Sequence, residues 1–122
     1  MLRILYVEDN PEALRPVQRI AALEGYELIT TETIAAALSL LHTYMPTLIL
    51  VDSLLPDGDG TDFTKWARAQ GFTGPIINIT GYAIQGEQEA CFAAGCTEFL
   101  VKPVGMSAYI ELFKRYDSDG VQ

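Results

Sequence analysis

The chain has 122 residues, a length that fits one domain, and a hydrophobic content of 49% is enough to bury a core. A formal net charge of −8 disfavours binding to nucleic acid or to an anionic membrane surface. The apolar runs are shorter than the roughly 20 residues that span a bilayer, and the N-terminus lacks a signal-peptide pattern, so we expect a cytoplasmic protein. We expect the two cysteines to be reduced packing residues.

The first half of the chain predicts three strands and two helices. Apolar runs of strand length stand at residues 4–7, 27–31 and 47–51. Asn10 followed by Pro11 is typical of a helix start. That helix should end near Gly25 and bend at Pro16, which lacks a backbone N–H. Thr33 can cap the second helix.

The second half predicts two further strands, at residues 75–80 and 98–101, and three helices, at about 61–70, 86–94 and 107–116. A loop rich in proline, glycine and aspartate, residues 56–60, precedes the first of these helices. Strands that alternate with helices indicate right-handed βαβ units, which form a parallel sheet covered on both faces. We assign residues 1–117 to this α/β domain and residues 118–122 to a short flexible tail.

Polar side chains stand at the carboxyl ends of four of the five predicted strands. They are Glu8 and Asp9 after the first strand, Asp52 after the third, Thr80 at the end of the fourth and Lys102 after the fifth. In an open parallel sheet these ends meet at one edge, where ligands bind. Three carboxylates held together repel one another unless a cation lies among them, and hard oxygen ligands favour Mg²⁺. The set predicts attack of the Asp52 carboxylate on a phosphodonor, with Lys102 and Thr80 contacting phosphoryl oxygens.

Each of these residues also has an ordinary structural explanation. Acids such as Glu8 and Asp9 favour a helix start, and an aspartate such as Asp52 often precedes a turn. A threonine beside a glycine is common at a strand end, and a lysine before a proline is usually solvated. The functional interpretation is favoured because all of them fall at one edge of the sheet.

Four segments together resemble the receiver domain of two-component response regulators, over nearly the whole chain. They are residues 4–10, 50–60, 79–81 and 99–103. The resemblance implies a flavodoxin-like sheet of five parallel strands in the order 2-1-3-4-5 with five flanking helices. It also implies that Asp52 accepts a phosphoryl group from a phosphohistidine on a histidine kinase or a histidine phosphotransfer protein.

The same resemblance gives each site residue a role. The implied roles are phosphoacceptor for Asp52, Mg²⁺ binding for Glu8, Asp9, Asp52 and the backbone carbonyl of Leu54, phosphoryl contact for Thr80 and Lys102, switching for Thr80 and Phe99, and modulation of dephosphorylation for Leu54 and Tyr82. Both modulating side chains are bulky and poorly suited to orient a water molecule, so we expect a long-lived phosphoryl state. The domain should assist its own phosphorylation and dephosphorylation without being an enzyme for another substrate.

Phosphorylation is expected to change the face formed by the fourth helix, the fifth strand and the fifth helix. That face should bind a downstream effector, an output domain or a second copy of the chain. Its candidate surface residues are Ile84, Gln85, Phe99, Val101 and Tyr109. Pro16 stands in the first helix, which carries part of the kinase-docking surface in relatives. We expect it to affect the geometry with which a kinase docks on this helix.

Three other functions fit parts of the pattern. An aspartyl-phosphate phosphatase would want a second carboxylate two residues after its nucleophile, where this chain has Leu54. A flavin-binding module of the same fold needs a phosphate-cradling loop where Glu8 and Asp9 stand. A receiver that binds partners without phosphorylation is disfavoured by the complete set of site residues, and only chemistry excludes it.

Overall fold

A computed structural model describes residues 2–81 and 85–117; Tyr82, Ile84 and the predicted tail at 118–122 lie outside these ranges. The strands are β1 (Arg3–Val7), β2 (Glu27–Thr31), β3 (Leu48–Asp52), β4 (Leu54–Leu55), β5 (Gly58–Asp59), β6 (Ile76–Thr80) and β7 (Glu98–Val101). The helices are α1 (Pro11–Glu24), α2 (Ile34–Thr43), α3 (Gly60–Ala69), α4 (Glu87–Ala94) and α5 (Met106–Tyr116). Every predicted helix and strand is present, close to its predicted bounds.

The main sheet has five strands in the order β2-β1-β3-β6-β7, and every neighbouring pair is parallel. Counting only these strands along the chain gives the predicted order 2-1-3-4-5, so the fold prediction is confirmed. β3 and β6 are buried along their whole length. Their continuous apolar sequences suit strands that helices cover on both faces.

Side-chain alternation divides the core into two clusters, one on each face of the sheet. On β1, Ile4 and Tyr6 belong to the cluster covered by α1 and α5, whereas Leu5 and Val7 belong to the cluster covered by α2 and α3. On β3, Leu48 and Leu50 pack in the first cluster, and Ile49 and Val51 pack in the second. α4 packs against α3 and β7.

The predicted helix ends match the capping contacts. The Asn10 side chain accepts a hydrogen bond from a backbone N–H of α1 at 3.0 Å, and Gly25 ends that helix at a φ of 75°. The Thr33 hydroxyl accepts an N–H of α2 at 3.2 Å. α1 continues through Pro16 without ending there.

The loop predicted at 56–60 overlaps a small antiparallel hairpin of β4 and β5, which spans residues 54–59. Its tip places the Asp57 carboxylate at the start of α2, where one oxygen accepts the N–H of Ile34 at 2.8 Å and the other accepts the N–H of Ala35 at 3.1 Å. These hydrogen bonds lower the pKa of Asp57 below its ordinary value of 3.8. The hairpin therefore ties the segment after β3 to α2.

Candidate functional site

Four parallel strands bring the predicted site residues to one edge of the sheet. Asp52 is the last residue of β3 and Thr80 is the last residue of β6. Glu8 directly follows β1, and Lys102 directly follows β7. Since neighbouring strands are parallel and in register, these four positions lie side by side, as the sequence predicts.

Three carboxylates form a cluster at this edge. One oxygen from each of Glu8, Asp9 and Asp52 lies within 4.8 Å of the others. Glu8 is 1% exposed and Asp52 is 7% exposed, whereas Asp9 is open to solvent. Several hard oxygen atoms that converge with one side open match the way proteins hold Mg²⁺, which keeps some of its water ligands. The donor set therefore fits a divalent cation of that kind.

Lys102 joins two of these carboxylates. Its Nζ lies 2.9 Å from Glu8 Oε1 and 2.9 Å from Asp52 Oδ1. Burial alone would lower the pKa of Lys102, but its hydrogen bonds to Asp52 and Glu8 outweigh that effect and raise it. The ammonium group is therefore charged at neutral pH and is placed beside the phosphoacceptor candidate.

Burial changes the ionisation of Glu8. Desolvation raises its pKa above the ordinary value of 4.5, against the hydrogen bond from Lys102, and the nearby charge of Asp52 adds to the rise. The Asn10 N–H also donates to Glu8 Oε2, at 3.3 Å. A buried carboxylate with a raised pKa, close to two others, is an environment in which a bound cation stabilises the ionised form.

Thr80 lies beside Asp52 on the next strand and is fully buried. The Ser53 hydroxyl donates a hydrogen bond to Thr80 Oγ1 at 2.8 Å. Sequence reasoning missed Ser53, although the register that pairs Asp52 with Ile79 carries the next two residues, Ser53 and Thr80, opposite each other. The signal that could have found it was the position of a hydroxyl directly after the candidate nucleophile.

A cavity of about 300 Å³ opens above Asp52 and is lined also by Ser53, Leu54, Gly81 and Lys102. Among the described residues other than its chain neighbours, no atom lies within 4 Å of where a Cβ on Gly81 would stand. Leu54 is 57% exposed at the rim of the cavity. The carboxylate is thus accessible to a reactant at the edge of the sheet.

Gly60 packs closely against the backbone of Asp52 and Ser53. Its N–H donates to the carbonyl of Ser53 at 3.1 Å. A Cβ on Gly60 would lie 2.7 Å from the carbonyl oxygen of Asp52 and 2.7 Å from Asn78 Oδ1, which is too close for any side chain. Asn78 Nδ2 donates to Thr64 Oγ1 at 3.0 Å, and these supporting polar residues were also not predicted from the sequence.

The residues predicted for the switch surface differ in their exposure. Phe99 is half-buried on β7, while Gln85 and Val101 are exposed. The prediction that Tyr109 lies on this surface is wrong, because Tyr109 is 4% exposed. Its hydroxyl lies 3.4 Å from the hydroxyl of Tyr6, a buried residue of β1. The exposed apolar side chains of α5 are instead Met106 and Ile110. Ile84, like Tyr82, lies outside the described residues.

The predicted cysteine state is confirmed. Cys91 and Cys96 are free and buried. Burial raises the pKa of both thiols, that of Cys96 to about 12. Thiols that are buried and protonated are packing groups.

A family model described as the response regulator receiver domain matches residues 4–114. The chain belongs to the response regulator receiver domain family. Among curated relatives, the polar-differentiation response regulator DivK of Brucella anthropi is 32% identical over 118 residues, which are 95% of this chain and 96% of the relative. Receiver domains of response regulators act in two-component signalling with histidine kinases and downstream effectors, so this domain is a component of such a system.

Solved receiver domains share the fold. A CheY-like receiver domain protein from Methanospirillum hungatei superposes with a TM-score of 0.87 at 30% identity, covering 94% of this chain and 92% of that one. The receiver domain of a sensor histidine kinase from Pseudomonas aeruginosa superposes with a TM-score of 0.83 at 31% identity, covering 94% of this chain and 96% of that one. That structure has a magnesium ion coordinated in its active site cleft.

Within the part of this receiver domain that the structure describes, no helix is both long enough and apolar enough to cross a bilayer.

Proposed function

We propose that this receiver domain is a phosphoacceptor switch, in which Asp52 accepts a phosphoryl group from a phosphohistidine on a histidine kinase or a histidine phosphotransfer protein. The observation that carries the proposal is the position of the Asp52 carboxylate. It is nearly buried at the sheet edge, faces an open cavity, and has the Lys102 ammonium at 2.9 Å and two further carboxylates within 4.8 Å. A purely structural aspartate would not require an ammonium group, two further carboxylates and an open cavity around it.

The chemical step is an in-line transfer. A carboxylate oxygen of Asp52 forms a bond to phosphorus while the bond between phosphorus and the donor nitrogen breaks, and the imidazole keeps the electron pair and takes a proton. The product is an acyl phosphate. Lys102 offsets negative charge on a phosphoryl oxygen from its position next to Asp52, and Thr80 offers a hydroxyl to another oxygen.

Glu8, Asp9, Asp52 and the backbone carbonyl of Leu54 would hold Mg²⁺. The first three supply hard, ionised oxygen atoms that lie within 4.8 Å of one another. A bound Mg²⁺ would neutralise the negative charge that otherwise keeps a phosphodonor away from this acidic edge. Without it, the three carboxylates repel the reactant.

The switch would act through Thr80 and Phe99. Phosphorylation adds charge and acceptor oxygens at Asp52, which draws the Thr80 hydroxyl toward the phosphoryl group. Phe99, half-buried on β7, would then turn inward and change the face formed by α4, β7 and α5. This face carries the exposed side chains of Val101, Met106 and Ile110, which suit an effector, an output domain or a second copy of the chain.

We propose that the phosphoryl state is long-lived and that the domain is not an enzyme for another substrate. Leu54, exposed at the rim of the cavity, has no polar atom to orient a water molecule. Tyr82 is proposed to act with it. We further assign residues 1–117 to the domain and 118–122 to a tail, place the protein in the cytoplasm, and expect no direct binding to nucleic acid because of its net charge of −8.

Intact mass spectrometry after incubation with acetyl phosphate, with and without Mg²⁺, tests the proposal. We expect a gain of one phosphoryl group that needs Mg²⁺ and is lost in Asp52→Asn. Asp57→Asn is the matched control, because it removes the same charge from a carboxylate that hydrogen-bonds to α2, and it should still be phosphorylated. Failure of the wild-type chain to gain mass with either acetyl phosphate or a phosphohistidine donor would contradict the proposal.

The lifetime has its own measurement. After removal of the donor, the phosphorylated protein should lose its added mass over many minutes or longer. A half-life of seconds for the isolated protein would contradict the proposed role of Leu54. Replacement of Leu54 by Asn, which can orient a water, should shorten the lifetime.

A further inference from the structure

We infer that Ser53 is a positioning residue that restrains the switch. Its hydroxyl holds the side chain of Thr80 in the unphosphorylated arrangement and weakens the response of the domain to a phosphoryl group. The inference rests on the proposed function, since it concerns the movement of Thr80 toward Asp52. It adds a residue that acts through Thr80 without touching the phosphodonor.

The sheet itself places the two hydroxyls together. The β3–β6 register pairs Asp52 with Ile79, and Ser53, directly after β3, donates its N–H to the carbonyl of Ile79, so Ser53 lies beside Thr80 at the end of β6. The resulting hydrogen bond, 2.8 Å from Ser53 Oγ to Thr80 Oγ1, is buried. It is a cross-strand pair set by the fold.

Backbone hydrogen bonds hold both main chains at this contact. The Ser53 N–H donates to the carbonyl of Ile79 at 3.0 Å, and its carbonyl accepts the N–H of Gly60 at 3.1 Å. The Thr80 carbonyl accepts the N–H of Lys102 at 2.7 Å. Because both main chains are fixed by these hydrogen bonds, the Thr80 hydroxyl can approach a phosphoryl group on Asp52 only by rotation of its own side chain. That rotation takes Thr80 Oγ1 away from the Ser53 hydroxyl.

Burial makes the loss of this contact significant. Thr80 is 0% exposed and Ser53 is 8% exposed, so water does not freely replace the hydrogen bond that is lost. The restrained arrangement is therefore favoured in the absence of a phosphoryl group. A ligand that needs Thr80 in the rotated arrangement binds only the molecules that already have it. Its apparent affinity is the intrinsic affinity multiplied by the fraction of such molecules.

A double-mutant cycle on Ser53 and Thr80 tests the inference, with beryllofluoride in the presence of Mg²⁺ as the phosphoryl mimic and calorimetry as the measurement. Removal of one ordinary hydrogen bond changes an equilibrium by about fivefold. We therefore expect Ser53→Ala to bind beryllofluoride about fivefold more tightly than the wild type. In the Thr80→Ala background, the same change at Ser53 should have no effect, because the partner of the hydroxyl is already gone.

Ser39→Ala is the matched control. Ser39 is exposed on α2, where its hydroxyl bonds a backbone carbonyl within the helix, so its loss should leave the affinity unchanged. An affinity of Ser53→Ala that equals or falls below the wild-type value overturns the inference. So does a gain that persists in the Thr80→Ala background, since the effect would then not pass through Thr80.

The outcome for the wild type separates this inference from the function on which it rests. Wild-type protein that binds beryllofluoride, with binding lost in Asp52→Asn, upholds the proposed function whatever the cycle shows. Wild-type protein that neither binds the mimic nor gains a phosphoryl group overturns the proposed function, and the inference with it. Damage to the fold would weaken beryllofluoride binding, so tighter binding by Ser53→Ala is not explained by such damage.

Discussion

Asp52 and Asp57 lie close together in the chain, yet their surroundings are opposite. The Asp57 carboxylate accepts two backbone N–H groups at the start of α2, one on each oxygen. Asp52 shares a single ammonium with Glu8, and Asp9 adds a third carboxylate to the same cluster. The hydrogen-bonding capacity of the Asp57 carboxylate is met by α2. Asp52 belongs to a cluster of three carboxylates and one ammonium group.

The pKa directions express the same difference. Hydrogen bonds to the Ile34 and Ala35 N–H groups lower the pKa of Asp57, so its ionised form stabilises the fold. Burial raises the pKa of Glu8 in the acidic cluster, so ionisation there works against the fold. The Asp57 carboxylate therefore has a structural role, whereas a buried carboxylate whose ionisation opposes folding, as at Glu8, is typical of a functional site.

The largest expected effect is that of Lys102→Met. Loss of the only cation in hydrogen-bonding distance of Asp52 among the described residues should slow phosphorylation by acetyl phosphate about 100-fold. It should also lower the free energy of unfolding without Mg²⁺ by about 2 kcal/mol, because Glu8 then remains buried without its partner. Phosphorylation kinetics and urea unfolding measure the two effects.

Lys65→Met, on the exposed side of α3, is the control for Lys102→Met. It removes an equal charge away from the acidic cluster and should change neither quantity appreciably. Equal phosphorylation rates for the two variants would show that Lys102 does not assist the phosphorylation of Asp52.

An intermediate effect is expected for Asp9→Asn on Mg²⁺ binding. Removal of one ionised ligand should weaken Mg²⁺ binding by at least about tenfold. The same change relieves repulsion in the cluster and should raise stability in Mg²⁺-free buffer by less than about 1 kcal/mol. Thermal unfolding across a Mg²⁺ titration measures both, and Asp57→Asn, with the same change in net charge, should keep wild-type Mg²⁺ affinity.

The smallest effect is the pH dependence of stability that comes from Asp57. Because its pKa in the folded state is below the ordinary value of 3.8, its contribution is complete above that value and is lost as the pH falls through the lower folded-state pKa. Asp57→Asn should therefore be slightly less stable than the wild type at neutral pH, and the difference should shrink below about pH 4. Urea unfolding at several pH values checks this, and a difference that stays constant down to pH 3 would count against the contact with α2.

The sequence predicted local features well because each has a local signal. The cap at Asn10, the helix end at Gly25 and the strand at residues 27–31 follow from residue type and period, and the structure confirms them. Alternating strands and helices predicted a parallel sheet, and the resemblance to receiver domains implied its strand order; that sheet brings Glu8, Asp52 and Lys102 together.

What could not be predicted depends on partners distant in the chain. The hairpin at 54–59 has strands too short for periodicity to show, and the partner of Asp57 is at the start of another helix. Tyr109 was expected at the surface because helical period does not say which neighbour covers an aromatic face, and here Tyr6 and β1 cover it. Ser53 became visible only when the β3–β6 register placed it opposite Thr80.

Site mapping of the acyl phosphate tests the central claim most directly. Borohydride reduces an acyl phosphate on aspartate to homoserine, which marks the modified residue permanently for peptide sequencing by mass spectrometry. After treatment with a phosphohistidine donor and Mg²⁺, we predict homoserine at position 52 and aspartate unchanged at positions 9, 57 and 59. Homoserine at one of those other positions, or none in protein exposed to an active donor, would contradict the assignment of Asp52 as the phosphoacceptor.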